Sequence, residues 1–226
     1  MHTYEIEIKS LLGSEDRAKE LRQRLAEKDK EFQPSPLHKQ LNHYFEVTPD
    51  DLVRMKETIV PHIKEGRRKA LTMVLEEGRG HSVRTRDADG TVYFIIKASI
   101  GDDSSANGVS RIEFEEEVDM SIDELDNLLL ECGLQYQAKW SREREEYRLG
   151  EVTITIDKNA GYGYLAEFER VIKDDNDIEE IKKELHTLMD ELGVEELPQD
   201  RLERMFAHYN AHWEEYYGSD KTFTIE

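Results

Sequence analysis

The segment Glu5-Ile6-Glu7-Ile8-Lys9 alternates ionic and aliphatic residues without a break. A chain built on such alternation is committed to strands with one apolar and one charged face. Glu5, Glu7 and Lys9 stand at i, i+2 and i+4, so they point the same way, about 7 Å apart along the strand. Paired carboxylates suit a hard divalent cation, and a neighbouring ammonium suits an anionic ligand such as phosphate. One isolated strand of this kind is more often a solvated face. Recurrence is what changes the reading.

The period-2 pattern predicts strands near 3–9, 42–47, 82–86, 91–98, 109–118, 135–148, 150–157 and 164–172. Helices fit 14–30, 50–76 (broken near Pro61 and Gly66), 121–132, 177–193 and 199–217. Ser14 and Ser121 are placed as caps, the latter with Glu124 in a capping box. Asp89-Gly90 reads as a hairpin turn, 101–108 as a loop between adjacent strands, and 174–177 as a turn. Splitting each strand by parity sets Arg84 with Arg86, Glu113 with Glu115, Arg142 with Arg144, and Glu167 with Glu169, while Lys97 ends a hairpin strand. Asp157 shares a face with Thr153 and Thr155. The apolar faces need cover from amphipathic helices. The opposite face is densely ionic in both signs, and a desolvated lining of that kind is too costly without a purpose. A metal held by the acids and a polyanion held by the bases would reconcile the two.

The net charge of −20 argues against a general nucleic-acid or membrane binder, although Lys and Arg still total 31. No apolar run approaches the ~20 residues that span a bilayer, and no signal peptide is seen. The single cysteine, Cys132, excludes an internal disulfide and suits a reducing compartment. A cytoplasmic protein is expected, with no nucleic-acid or membrane partner, as a monomer or homodimer.

Six blocks in order resemble the CYTH domains, also called triphosphate tunnel metalloenzymes. They are Glu5-x-Glu7-x-Lys9; Asn42-His43-Tyr44-Phe45; Val83-Arg84-Thr85-Arg86 with Phe94-Ile95-Ile96-Lys97; Arg111-Ile112-Glu113-Phe114-Glu115; Arg142-Glu143-Arg144 with Tyr147; and Asp157, Gly161-Tyr162-Gly163-Tyr164, Glu167-Phe168-Glu169. The resemblance covers about residues 1–173. It implies an α+β fold, an eight-stranded antiparallel β-barrel or tunnel with a charged interior, wrapped by helices. The whole chain 1–226 would be one such domain, with a helical insertion about 50–80 and a helical C-terminal extension about 177–217. The resemblance also implies Mg²⁺ or Mn²⁺ and a triphosphate-containing small molecule. Glu5, Glu7 and Glu169 would hold the principal metal, with Glu167 and Glu115 or Glu113 nearby. Lys9, Arg84, Arg86, Lys97, Arg142 and Arg144 would grip phosphate, and Asp157 would orient a neighbour or serve a second metal.

Three departures qualify the transfer. The 50–80 segment is additional, a candidate cap over one tunnel mouth. The family's usual lysine is replaced by Arg142 or shifted to Lys139. A Ser-Tyr element near the C-terminus is missing.

Other patterns have plainer explanations. His208 and His212 have zinc-compatible spacing, but the aromatics around them read as a docking helix. Asp87-x-Asp89-Gly90 is a hairpin rather than a calcium loop, and Arg67-Arg68-Lys69 a helix surface. No phosphate-binding Gly-Lys loop and no serine or cysteine nucleophile motif is found. The expected activity is metal-dependent hydrolysis of inorganic, thiamine or nucleoside triphosphate. Class IV adenylyl cyclase is the alternative, and a non-catalytic polyphosphate or nucleotide binder the second.

Overall fold

The computed structural model describes residues 4–28, 35–99, 111–172 and 178–225. The side chains of Tyr4, Glu5 and Arg111 are not among what it describes, and the expected loop at 101–108 and turn at 174–177 lie outside it. Among the described residues, eight strands and six α-helices follow in the order β1 (Tyr4–Gly13), α1 (Glu15–Lys28), β2 (His38–Glu46), α2 (Pro49–Ile59), α3 (Arg68–Glu77), β3 (Arg79–Ala88), β4 (Thr91–Ser99), β5 (Arg111–Glu117), α4 (Ile122–Glu131), β6 (Gln135–Leu149), β7 (Val152–Asn159), β8 (Gly163–Ile172), α5 (Ile178–Glu191) and α6 (Gln199–Tyr216). The fold is α+β, and the strands form one sheet in the order β1-β8-β7-β6-β2-β3-β4-β5. Its described registers are antiparallel throughout. Each strand expected from alternation is present.

The described residues divide into two compact units, a terminal one from residues up to 39 and from 141 onward, and a central one from those between. In the terminal unit, Ile6, Ile8, Ile154, Ile156 and Phe168 form the apolar sheet face. Helix α1 covers it with Ala18, Leu21 and Leu25, and α5 with Ile181, Leu185 and Met189, each at helical spacing. The Arg17 amide donates to Ser14 Oγ at 3.3 Å, so α1 starts at its predicted hydroxyl. Two glycines are sterically required where β7 turns into β8. Gly161 (φ +91°) lies against the Tyr209 ring, and a Cβ on Gly163 (φ +74°) would come within 2.2 Å of the Gly13 carbonyl oxygen.

In the central unit, Val83, Phe94, Ile96 and Phe114 make the apolar face, and α4 packs Leu125 and Leu129 onto it. Ser121 and Glu124 close the expected capping box of α4. Thr48 and Asp51 close a second one at α2, where Asp replaces the usual Glu or Gln. Asp89 (φ +52°) and Gly90 (φ +88°) make the two-residue hairpin, with the Gly90 amide donating to Asp87 Oδ1 at 2.7 Å. That carboxylate is spent on the turn, so the calcium-loop pattern is a hairpin.

The 50–80 segment breaks near Pro61 and Gly66 as expected, giving α2, two short 3₁₀ turns and α3. One face of the segment is buried in the core. Met55, Ile59 and Leu71 are each 0% exposed, and with Ile63 and Val74 they join the core behind β3–β5. Burying each such side chain contributes about 1.5–3 kcal/mol, so the segment is structural cover for the apolar face. Among the described residues no helix is long and apolar enough to cross a membrane. Ile59→Ala should destabilise the protein by about 2–5 kcal/mol. The measurement is a lowered denaturant midpoint with an unchanged slope, and a surface helix would leave the midpoint where it was.

Candidate functional site

Register decides which charged side chains become neighbours. In the terminal unit Glu7 lies directly across from Glu169, and Lys9 from Glu167, on β1 and β8. Thr153 and Thr155 of β7 oppose Glu169 and Glu167, and Arg144 of β6 opposes Asp157. Opposed residues in an antiparallel pair project to one face, so these charges share the face away from Ile6 and Phe168. The parity expected for all of them holds.

Asp157 is the deepest of the set, its side chain 1% exposed. It accepts from Arg144 Nε at 2.7 Å and Nη2 at 2.6 Å, and from Arg142 Nη1 at 2.9 Å. A two-pronged guanidinium–carboxylate contact fixes direction as well as charge. Arg144 Nη2 also donates to Glu167 Oε2 at 2.6 Å. Lys9 Nζ lies 3.6 Å from Glu167 and contacts Glu7. Burial alone would raise the Glu167 carboxyl, but Lys9, Arg144 and Arg142 hold it well below the usual carboxylate range. Burial works against the Arg144 charge, yet Asp157 and Glu167 raise its pKa further, so it stays a cation.

The central unit repeats the device. Arg84 faces Tyr44 and Arg86 faces Asn42 across β2 and β3, while Lys97 faces Glu113 across β4 and β5. Arg84 Nη1 donates to the Tyr44 hydroxyl at 2.7 Å, and Nη2 lies 3.7 Å from Glu113. Arg86 Nε donates to Asn42 Oδ1 at 2.9 Å, and its Nη1 reaches Glu115 at 3.3 Å. Lys97 Nζ is 3.0 Å from Glu113. Burial opposes the Arg84 charge, but Tyr44 and Glu113 outweigh it and raise its pKa. Arg84 Nε is buried and has no hydrogen-bond partner among the described residues.

The donor set can be tested for a divalent cation on its own chemistry. Glu7 and Glu169 are like charges placed directly opposite, an arrangement that is destabilising by itself. Glu5 lies two residues before Glu7 on the same strand. All-oxygen donors of this kind fit a hard ion such as Mg²⁺ or Mn²⁺. Among the described residues no three His, Cys, Asp or Glu side chains form a ready-made ligand group. Glu7 and Glu167 turn instead toward Lys9 and Arg144.

Several residues fall outside these sets. Lys139 Nζ sits 4.1 Å from the Tyr136 ring centroid and 3.8 Å from Asp126, so of the two candidates only Arg142 accompanies Arg144 on Asp157. Arg67 binds Glu116 at 2.8 Å and stacks over Phe114, whereas Arg68 donates to the Ile63 carbonyl. The His208 and His212 rings stack at 4.4 Å, and His212 Nδ1 donates to the His208 carbonyl, a packing arrangement among aromatics. Sequence reasoning assigned no role to Asn42 or Tyr44. Their parity, alternate with the buried His43 and Phe45, was the signal available.

A family model for the CYTH domain matches residues 75–201. No curated protein matches the chain. Among solved structures, it is similar to the PH1819 protein of Pyrococcus horikoshii, with TM-score 0.61, 22% identity, and 91% of this chain and 99% of that one covered. It is also similar to a putative adenylate cyclase from Vibrio parahaemolyticus, with TM-score 0.59, 13% identity and coverage of 92% and 99%. A third is a putative adenylyl cyclase from Hippeastrum described as having a dominant triphosphatase activity, with TM-score 0.55, 16% identity and coverage of 92% and 96%. At these identities the likeness is one of fold.

A group whose folded pKa is depressed stabilises above its unfolded pKa and loses that contribution as pH falls toward the folded value. Glu167→Gln should therefore cost most stability above about pH 5, and the gap to wild type should close below the ordinary carboxylate pKa of about 4.3. Denaturant unfolding across that range is the measurement. A gap independent of pH would contradict the ionic role.

Proposed function

From the premise that the chain belongs to the CYTH family, whose domain model matches more than half of it, we propose that it hydrolyses a triphosphate with a divalent cation, Mg²⁺ or Mn²⁺. The observation that carries this reading is Arg84. A buried N–H without an acceptor costs about 1–3 kcal/mol, and among the described residues the Arg84 Nε has none, beside an Nη1 anchored on Tyr44. A turn of the side chain would bring that donor to a phosphate oxygen, an acceptor suited to a guanidinium.

A triphosphate carries about four negative charges near neutral pH, so neutralisation and alignment dominate its chemistry. Arg84, Arg86 and Lys97 in the central unit, and Lys9, Arg142 and Arg144 in the terminal one, are assigned to phosphate oxygens. Asp157 aims Arg142 and Arg144 from behind. Glu5, Glu7 and Glu169 are assigned to the cation, with Glu167, Glu113 and Glu115 as the acids that balance nearby bases. When bound, the cation supplies concentrated positive charge and Lewis acidity to the phosphoryl oxygens. In the reaction, water adds to the terminal phosphorus and the bridging P–O bond breaks. Orthophosphate and the shortened phosphate leave while the fixed cations hold the charge of the leaving group.

Hydrolysis is preferred over cyclisation because the Hippeastrum protein, which shares the fold, is described by a dominant triphosphatase activity. The same charges would also serve attack of a ribose 3′-hydroxyl on the α-phosphorus of ATP. A panel of inorganic triphosphate, thiamine triphosphate and ATP with Mg²⁺ or Mn²⁺ separates the readings. Orthophosphate release is expected; cyclic AMP with pyrophosphate would mean a cyclase, and tight binding without turnover a binding module.

Within the active reaction, Arg84→Ala and Arg144→Ala should each lower kcat/KM by about tenfold to a hundredfold, the worth of one charge-assisted contact. The double variant Glu5→Gln, Glu7→Gln should lose metal-dependent turnover while remaining folded by circular dichroism. Wild-type rates in that double variant would remove the cation assignment.

A further inference from the structure

Behind the strands that carry Arg84 and Arg86, the central unit buries a carboxylate in the layer that α4 packs onto the sheet. Asp126 of α4 is 2% exposed and lies next to Leu125, which is fully buried. It accepts from the Thr85 hydroxyl and the Tyr136 hydroxyl, each at 2.6 Å. His43 Nδ1 is also 2.6 Å away. An ionised carboxylate only accepts, so that nitrogen carries the proton. The Asp126 carboxylate thereby joins β2, β3, α4 and β6. A buried acid costs free energy even when paired, and hydrophobic side chains of similar volume often stabilise as well or better. Cover for the sheet face does not require it.

Register shows what the network holds. Asn42 pairs with Arg86, His43 with Thr85, and Tyr44 with Arg84, in consecutive rungs. Consecutive strand residues point to opposite faces. The His43–Thr85 rung therefore sits between the two guanidinium rungs and is fastened from the reverse side. Arg84 and Arg86 take their direction from Tyr44 and Asn42 on those rungs.

We propose that Asp126 is a positioning residue for the phosphate-binding arginines: by tying His43 and Thr85 to α4 and β6, it sets the rungs from which Tyr44–Arg84 and Asn42–Arg86 project. This rests on the triphosphate reading above. A carboxylate with a purely structural role lowers stability when replaced, whereas one that aims the arginines also lowers ligand affinity, and only while the arginines are present.

The test is calorimetric titration of the full chain with inorganic triphosphate in divalent-free buffer, well below the melting temperature. Asp126→Asn should weaken binding by about tenfold. Thr85→Val, which keeps the shape but removes one hydrogen bond, should weaken it several-fold and carries the comparison if Asp126→Asn does not fold. Asp51→Ala, which breaks the α2 capping box, should lower the melting temperature and bind like wild type. With Arg84 and Arg86 both replaced by Ala, the network variants should change binding by less than about twofold. The positioning role is overturned if Asp126→Asn and Thr85→Val bind like wild type while Arg84→Ala does not. It is equally overturned if they weaken binding by the same factor without the arginines. Failure of wild type to bind triphosphate, or wild-type affinity in Arg84→Ala, overturns the assignment of these arginines to phosphate and this proposal with it.

Discussion

Asp157 receives three hydrogen bonds from Arg142 and Arg144 while its side chain is almost completely withdrawn from water. The ionic face of the terminal unit is organised around that contact. With one edge of the Arg144 guanidinium fixed, its Nη2 is left to Glu167, and Glu167 in turn draws Lys9. Charges on β6, β7, β8 and β1 thus form a continuous series in which each position depends on the previous one. Burial makes the series electrostatically strong, and it also means that loss of one member leaves its partner charged and uncompensated. A cationic set prepared in this way keeps its charge and direction without a ligand, which is what binding a polyanion rewards.

The reverse faces of the same strands are conventional. Isoleucine, valine and phenylalanine alternate with the charged residues and are covered by α1 and α5 in one unit, and by α2, α3 and α4 in the other. The tight apolar layer keeps the strands from slipping, because a one-residue shift would turn every charge into the core. Arg67 and Lys64 meet Glu116 on that covered side, where the ionic parity is exchanged for a salt bridge to the inserted segment.

The central unit solves the same problem with different partners. Arg84 and Arg86 are aimed chiefly by the neutral oxygens of Tyr44 and Asn42, and the acids Glu113 and Glu115 stand further off. A neutral partner directs a guanidinium while leaving more of its charge unbalanced. In a strongly acidic chain, −20 overall, these cations are placed at specific strand positions. Net charge argues against broad nucleic-acid binding but not against a small polyanion, because potential at a site depends on placement.

Much of this was legible along the chain. The parity of Glu7, Lys9, Arg84, Arg86, Arg142, Arg144, Asp157 and Glu167 follows from the period of a strand, which is local and needs no partner. The eight strands, the Ser121–Glu124 cap and the Asp89-Gly90 turn are local for the same reason. What touches what was not legible. Asp157 as the holder of two arginines, Tyr44 as the anchor of Arg84, the Asp126 network and the inserted helices as core all depend on register and on contacts between residues far apart in sequence. Only the folded chain determines those, because the free energy that selects one register over its neighbours comes from burying whole faces together. The segment Glu5-Ile6-Glu7-Ile8-Lys9 by itself determined that one face would be ionic; the tertiary structure decided that Glu7 would meet Glu169 and Lys9 would meet Glu167.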